Sequence, residues 1–276
     1  MSYRDILVHL DDNMAGSSFI EAAVAFASSQ NAHLAGLHVI DIPVIPGFVE
    51  TSIPRQVLED HRKRFFDRAE KTESAFNHAC KKAGLSYEWR CIEGDTARTV
   101  VRTARYADLV LLAGGAGIDS ADRTGVADRV VLESGRPILV IPAAETGSAI
   151  GLRVVIAWNE SKEAARAAHD ALPFLRRADW VKIVSVSPGT SGEARGDIPA
   201  VEFRRHLSRH GVRAEAHAIT GNSANPGKRL LAWAAEERSN LLILGAYGHS
   251  RWTELVLGGV TAHVLRNTSM PVLLSH

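Results

Sequence analysis

Short apolar runs rich in Val, Ile and Leu alternate along the chain with longer segments whose apolar residues recur at i, i+3 and i+4. The first kind reads as buried strand and the second as amphipathic helix. Their alternation predicts βαβ units and a parallel sheet covered on both faces. Five strands are expected before residue 145, at Asp5–Leu10, His33–Ile40, Ser86–Ile92, Asp108–Ala113 and Pro137–Ile141. Helical segments fill the intervals at Ala15–Gln30, Pro54–Ala83, Ala97–Ala107 and Ala121–Ser134. The stretch from Pro142 to Ala149 is small, polar and contains Pro and Gly, which marks a linker.

Beyond the linker the pattern begins again. Arg153–Asn159 matches Asp5–Asp11, Asn240–Gly245 matches Asp108–Ala113, and Pro271–Leu274 matches Pro137–Val140. The second copy is shorter, chiefly between its second and third strands. There the first copy has a loop with Pro43 and Pro46 and a long charged helix, and the second has Pro188–Pro199 and a shorter helix. Self-similarity over this span predicts two copies of one five-stranded parallel, doubly wound α/β unit, residues 1–143 and 151–276.

Composition narrows the function. A length of 276 residues fits two domains, and 46% apolar with 23% charged residues lets each bury a core, which excludes disorder, collagen and coiled coil for the whole chain. Lys and Arg number 32 against 31 Asp and Glu, so the net charge of +1 leaves no basic excess for a nucleic-acid backbone. Cys80 and Cys91 lack a C-x-x-C spacing, so neither a disulfide framework nor a zinc site is signalled, in keeping with a reducing cytoplasm. The N-terminal residues enter a strand pattern directly and no apolar stretch reaches about 18 residues; a cytoplasmic location and no membrane partner are expected.

In such sheets ligands bind at the carboxyl ends of the strands where the winding reverses, which is after strands one and four of each copy. After strand one stand Asp11-Asp12 and Asn159-Glu160. After strand four the second copy carries Gly245-Ala246-Tyr247-Gly248-His249-Ser250, then a helical segment broken at Gly258-Gly259 and continued through Thr261. Glycines let backbone N–H groups approach a ligand, and a following helix N-terminus favours an anion. The arrangement is a chemically sensible phosphate cradle.

Gly245-x2-Gly248, nine residues, then Gly258, with the Pro271-led final strand, resembles the signature of the universal stress protein family, and the doubling resembles its tandem members. The resemblance spans nearly the whole chain. It implies two adenine nucleotide α-hydrolase-like domains with strand order 3-2-1-4-5, acting as a binding or regulatory module in the stress response. In nucleotide-binding members the glycines and the hydroxyl residue after the last one hold the ATP phosphates, accompanied by Mg2+. An Asp ending strand one and backbone at the end of strand two hold the nucleoside. Carried onto this chain, the nucleotide-binding set is Asn159, Val186, Gly245, Gly248 and Gly258, with His249 inside the loop as a further donor. The sequence departs at two of the family's positions. Gly259 replaces the hydroxyl residue, with Thr261 nearby, and Asn159 replaces the Asp, each a loss of about 1–2 kcal/mol or about tenfold in affinity.

The first copy keeps Asp11 but reads Ala113-Gly114-Gly115-Ala116-Gly117-Ile118-Asp119 after strand four; the spaced glycines are lost, Asp119 and Asp122 oppose phosphate, and this half is expected not to bind nucleotide. Gly221–Arg229 is close to a P-loop, but five residues separate its glycines and Arg229 stands where the Ser or Thr belongs; it reads as a turn with Ser223 or Asn225 capping a helix. His206 and His210, four apart, lack a third ligand of defined spacing and read as a solvated face. The final strands are apolar edges that invite pairing, so the halves are expected to form an internal pseudo-dimer, with a homodimer of whole chains open. The functional expectation is a stress-response module with one ATP or adenine-nucleotide site in the second half. The rival is a nucleotide-independent scaffold with a vestigial loop. An ATPase is the third class, but in sequence no general base or metal carboxylate stands beside the glycines, and no catalytic or metal residue is assigned.

Overall fold

The computed structural model describes residues 2–12, 14–42, 55–114, 121–142, 150–188, 200–221, 225–248 and 259–276. The first half runs β1 (Asp5–His9), α1 (Ser18–Gln30), β2 (His33–Ile40), α2 (Arg55–Lys82), β3 (Tyr87–Glu93), α3 (Thr96–Ala104), β4 (Leu109–Gly114), α4 (Ala121–Glu133) and β5 (Ile138–Pro142). The second runs β6 (Arg153–Ala157), α5 (Lys162–Asp170), α6 (Leu172–Leu175), β7 (Trp180–Pro188), α7 (Ala200–Arg209), β8 (Ala214–Gly221), α8 (Pro226–Glu236), β9 (Leu241–Gly245), α9 (Gly259–Asn267) and β10 (Val272–Ser275).

All ten strands join one sheet in the order β3-β2-β1-β4-β5-β10-β9-β6-β7-β8. Each half therefore has the order 3-2-1-4-5 that the resemblance implies, parallel throughout. The halves meet where β5 pairs antiparallel with β10, Val140 opposite Val272 and Ile138 opposite Leu274. Two copies of one unit that share an edge through a two-fold relation must meet antiparallel, and the apolar edges are thereby buried rather than left as pairing templates.

Both faces of the sheet are covered, which is why its central strands are unbroken apolar runs. One face buries Ile6, Val8, Leu109 and Leu111 and continues across the seam into Leu273, Leu241, Val154 and Ile183. The other buries Leu7, Val110, Leu112 and Val140 and continues into Val272, Leu242, Val155 and Val184. The core is thus shared by both halves. Phe174 of α6 stacks on Phe26 of α1 at 5.5 Å, and the Tyr3 hydroxyl donates to the Asp170 carbonyl at 2.6 Å. Burial first, then Asp170 and Asp108, raises the Tyr3 phenol well above its ordinary pKa.

Capping residues set several helix starts. Asp95 accepts from the Arg98 N–H at 2.7 Å, Ser161 from Ala164 at 3.1 Å, and Asn225 from Lys228 at 3.1 Å. The last of these is one of the two caps expected for the P-loop-like segment, with Pro226 in the first turn; residues 222–224, Ser223 among them, lie outside the described residues. α1 begins after Ser17, three residues later than the sequence pattern suggests, and α3 stops at Ala104, three earlier.

Candidate functional site

The strand order of the second half reverses between β6 and β9, so the carboxyl ends of these neighbours face the crevice where the two windings diverge. β6 ends in Trp158-Asn159-Glu160, with the Trp158 N–H donating to Val184 on β7 at 2.8 Å. Asn159 is spoken for locally: its Oδ1 accepts from the Ser161 N–H at 3.2 Å and closes a turn that passes through Glu160 at φ 60° into α5. Val186 lies farther along β7, half-buried against the α8 face of the sheet and opposite Ile219.

β9 delivers Gly245 and Gly248 to the same end, and the two glycines differ in what requires them. A Cβ on Gly245 would stand 2.4 Å from the Ala164 nitrogen and 2.5 Å from the Glu163 carbonyl carbon. The start of α5 therefore rests directly on Gly245, and packing alone demands a glycine there. At Gly248 an added Cβ would meet only side chains: Glu163 Oε2 at 2.7 Å and Ser161 Oγ at 3.3 Å. Between them Tyr247 adopts the left-handed region at φ 58°, and its hydroxyl donates to Asp128 on α4 of the first half. Burial, then this bond, raises the Tyr247 phenol above its ordinary pKa. The loop beside the second-half site is thus anchored by the first half.

Gly259 opens α9, and a Cβ there would meet none of the described residues within 4 Å. Thr261, in the first turn of α9, is 4% exposed and accepts a long 3.5 Å bond from the Tyr247 N–H, so its hydroxyl faces the loop backbone. His249 and Gly258 lie outside the described residues. The structure therefore brings Gly245, Gly248 and Thr261 together beside the turn that starts at Asn159, while Val186 stands one strand away.

Sequence reasoning found no carboxylate beside the glycines, and the fold corrects that: Glu163 is there. It is 3% exposed, its Oε2 has no hydrogen-bond partner among the described residues, and its Oε1 has Lys162 Nζ at 3.5 Å. Glu163 shares one helix face with buried Ala164, Ala167 and Ala168. That i, i+4 phase was the available signal; a Glu in a first helical turn is otherwise read as a solvated partner of the helix dipole.

The matching end of the first half is built differently. After β1, Asp12 Oδ1 lies 3.2 Å from Nε2 of fully buried His38 on β2, a close approach without hydrogen-bond alignment, and Asp12 Oδ2 lies 3.5 Å from Arg68 of α2. Residues 115–120, which include Asp119, lie outside the description. Elsewhere, His206 of α7 and His210 just beyond its end bring their rings to 4.8 Å, and no three metal-ligating side chains converge among the described residues. A cavity of about 660 Å³ runs along β3 and α3 past Arg90, Arg98, Arg102 and Tyr106, elements that contribute nothing to the glycine site.

Comparison with known proteins places this geometry in a family. The model of the universal stress protein family matches residues 2–142 and again 152–276. Universal stress protein Slr1230 of Synechocystis is 27% identical over 150 residues, 53% of this chain and 49% of that protein, so the match spans about half the length of the relative. Among solved structures, a universal stress protein from Archaeoglobus fulgidus superposes with a TM-score of 0.76 at 18% identity, covering 98% of this chain and 95% of that one. A putative universal stress protein from Pseudomonas aeruginosa reaches 0.64 at 14% identity over 99% and 93%. These structural likenesses speak to the fold.

Proposed function

Since the chain belongs to the universal stress protein family, matched twice over nearly its full length, we propose that it is a stress-response binding module whose second half holds one adenine-nucleotide site. The observation that carries this reading is the meeting of Gly248, the Tyr247 loop and the N-terminal turn of α5 at the switch point between β6 and β9. Backbone donors at Gly248 and the first turn of α9 would hold the anion, the turn at Asn159 and the backbone at Val186 would border the nucleoside, and Mg2+ would accompany any triphosphate. Thr261, Gly258 and Gly259 complete the set that the family resemblance supplies. The cytoplasm is the proposed compartment; among the described residues no helix is long and apolar enough to cross a membrane.

A second reading has its own support. Gly245 is accounted for by packing against α5, and a buried carboxylate faces Gly248, as expected of a scaffold whose loop no longer holds phosphate. The experiment that separates them is to denature the purified protein, chromatograph what is released, and then titrate adenosine, AMP and ATP by calorimetry. Released or titratable adenine compound, abolished by Gly248→Leu, supports the binding module. Heat from none of them at millimolar concentration leaves the scaffold.

A further inference from the structure

We propose that Glu163 sets the charge preference of the glycine site, so that its ligand is an adenine nucleoside bearing few or no phosphates rather than a triphosphate; the inference rests on the nucleotide reading above. The two halves make the argument possible. Counted from the residue preceding each helix, Ser17 for α1 and Ser161 for α5, the buried faces correspond: Phe19, Ile20, Ala23 and Val24 in one, Glu163, Ala164, Ala167 and Ala168 in the other. Where the first half places a phenyl ring 2% exposed, the second places a carboxylate 3% exposed. The scaffold accepts an apolar residue at this position, so packing does not ask for a charge there.

Burying a carboxylate without a full set of donors is unfavourable, and such groups mark sites rather than frameworks. Lys162 gives little relief, since its side chain is 87% exposed and its contact, at 3.5 Å, is with the other oxygen. The unsatisfied Oε2 lies 2.7 Å from where a Cβ of Gly248 would stand. A ligand group that approaches Gly248 from its Cβ side therefore comes beside this oxygen. A phosphate there would bring negative charge against a carboxylate that is itself only 3% exposed, where repulsion is stronger than in water. A hydroxyl would instead donate to Oε2 and satisfy it, as carboxylates do for ribose in dinucleotide sites. The missing hydroxyl at Gly259 points the same way, because a site that does not select for phosphate has no use for that donor.

The test is calorimetric titration of the full chain with adenosine, AMP, ADP and ATP, in EDTA. Wild type is compared with Glu163→Gln, and with Glu163→Ala as a second neutral variant. Wild-type affinity is expected to fall with each added phosphate, by about tenfold or more from adenosine to ATP. In Glu163→Gln, ATP should tighten by about tenfold while adenosine weakens, because an amide is a poorer acceptor. Wild type that binds ATP as tightly as adenosine, or variants that shift all four ligands equally, would overturn the proposal and leave the nucleotide site standing. If neither wild type nor variants bind any of the four, both readings fall together.

Discussion

Counted from the residue before each helix, Phe19 and Glu163 hold the same position in two copies of one fold, and the contrast between them separates what the architecture requires from what the site requires. Each lies in the first turn of the helix that follows its half's first strand, and each is almost fully buried. The same comparison at the end of the fourth strand sets Ala113 against Gly245; after the first strand it sets Asp11-Asp12, of which Asp12 lies beside His38 and Arg68, against Asn159-Glu160, which form a turn. Both halves keep the scaffold and rebuild the ligand end. The first half places a buried aromatic ring in α1 and sets Asp12 beside His38 and Arg68; the second leaves glycines, a helix start at Gly259 and a carboxylate oxygen with no hydrogen-bond partner among the described residues.

Exchanging the residues at the first pair gives the largest effect. Phe19→Glu should destabilise the protein by about 4 kcal/mol or more, since it removes a buried ring and leaves an unpaired charge in the core. Glu163→Leu should have the opposite sign and stabilise by about 1–2 kcal/mol, as removal of a poorly compensated buried charge does. Urea unfolding measures both. Two substitutions of equal sign would mean that the helix faces do not correspond.

The glycine comparison comes next. Gly245→Val would drive a side chain into the Ala164 and Glu163 backbone, and we expect a loss of about 3 kcal/mol. Ala113→Gly, the reverse change at the matching position, should cost only about 1 kcal/mol through chain entropy. A Gly245→Val protein with the wild-type unfolding midpoint would show that α5 can move away, and would return Gly245 to a ligand role.

These pairs also explain how far the sequence was readable. The strands were legible because each is buried on both faces and must be apolar, and the repeat was legible because both copies obey the same rule. Gly245 and Gly248 were legible by spacing, but spacing cannot tell a glycine that seats a helix from one that admits a ligand. Glu163 escaped notice because a Glu in a first helical turn has an ordinary explanation, and only its phase with Ala167 argues otherwise. The bond from Tyr247 to Asp128 had no sequence signal at all, because it depends on how β5 and β10 bring the halves together.

The seam yields a smaller and pH-dependent effect. Tyr3 is buried where it joins the halves, and its phenol is held neutral above the ordinary value of about 10. The unfolded chain loses that proton first, so the stabilisation is complete below about pH 10 and declines as the pH rises further, by about 1.4 kcal/mol per pH unit. Tyr3→Phe removes the hydrogen bond to Asp170 and should cost about 1 kcal/mol at neutral pH, yet flatten the alkaline decline. Thermal melts between about pH 8 and 11 decide it; equal alkaline slopes in both proteins would put the titration elsewhere.

The smallest expected effect bears most directly on why the halves diverged. Gly259 stands at the first position of α9, and no described residue lies within 4 Å of a Cβ there, so Gly259→Ser introduces a hydroxyl without displacing any of them. A serine at a helix start is no worse than glycine for the fold, so stability should change by less than about 0.5 kcal/mol. If α9 presents its N-terminus to the anion end of the ligand, the new hydroxyl adds one hydrogen bond to phosphate and AMP should tighten by up to about tenfold, with adenosine unchanged. In a Glu163→Gln background the gain for ATP should be larger than in wild type, because the hydroxyl no longer works against a neighbouring negative charge. Additive effects would mean that residues 163 and 259 act on separate parts of the ligand. A gain for adenosine equal to that for AMP would mean that α9 borders the nucleoside instead, and the orientation of the ligand along the crevice would have to be reversed.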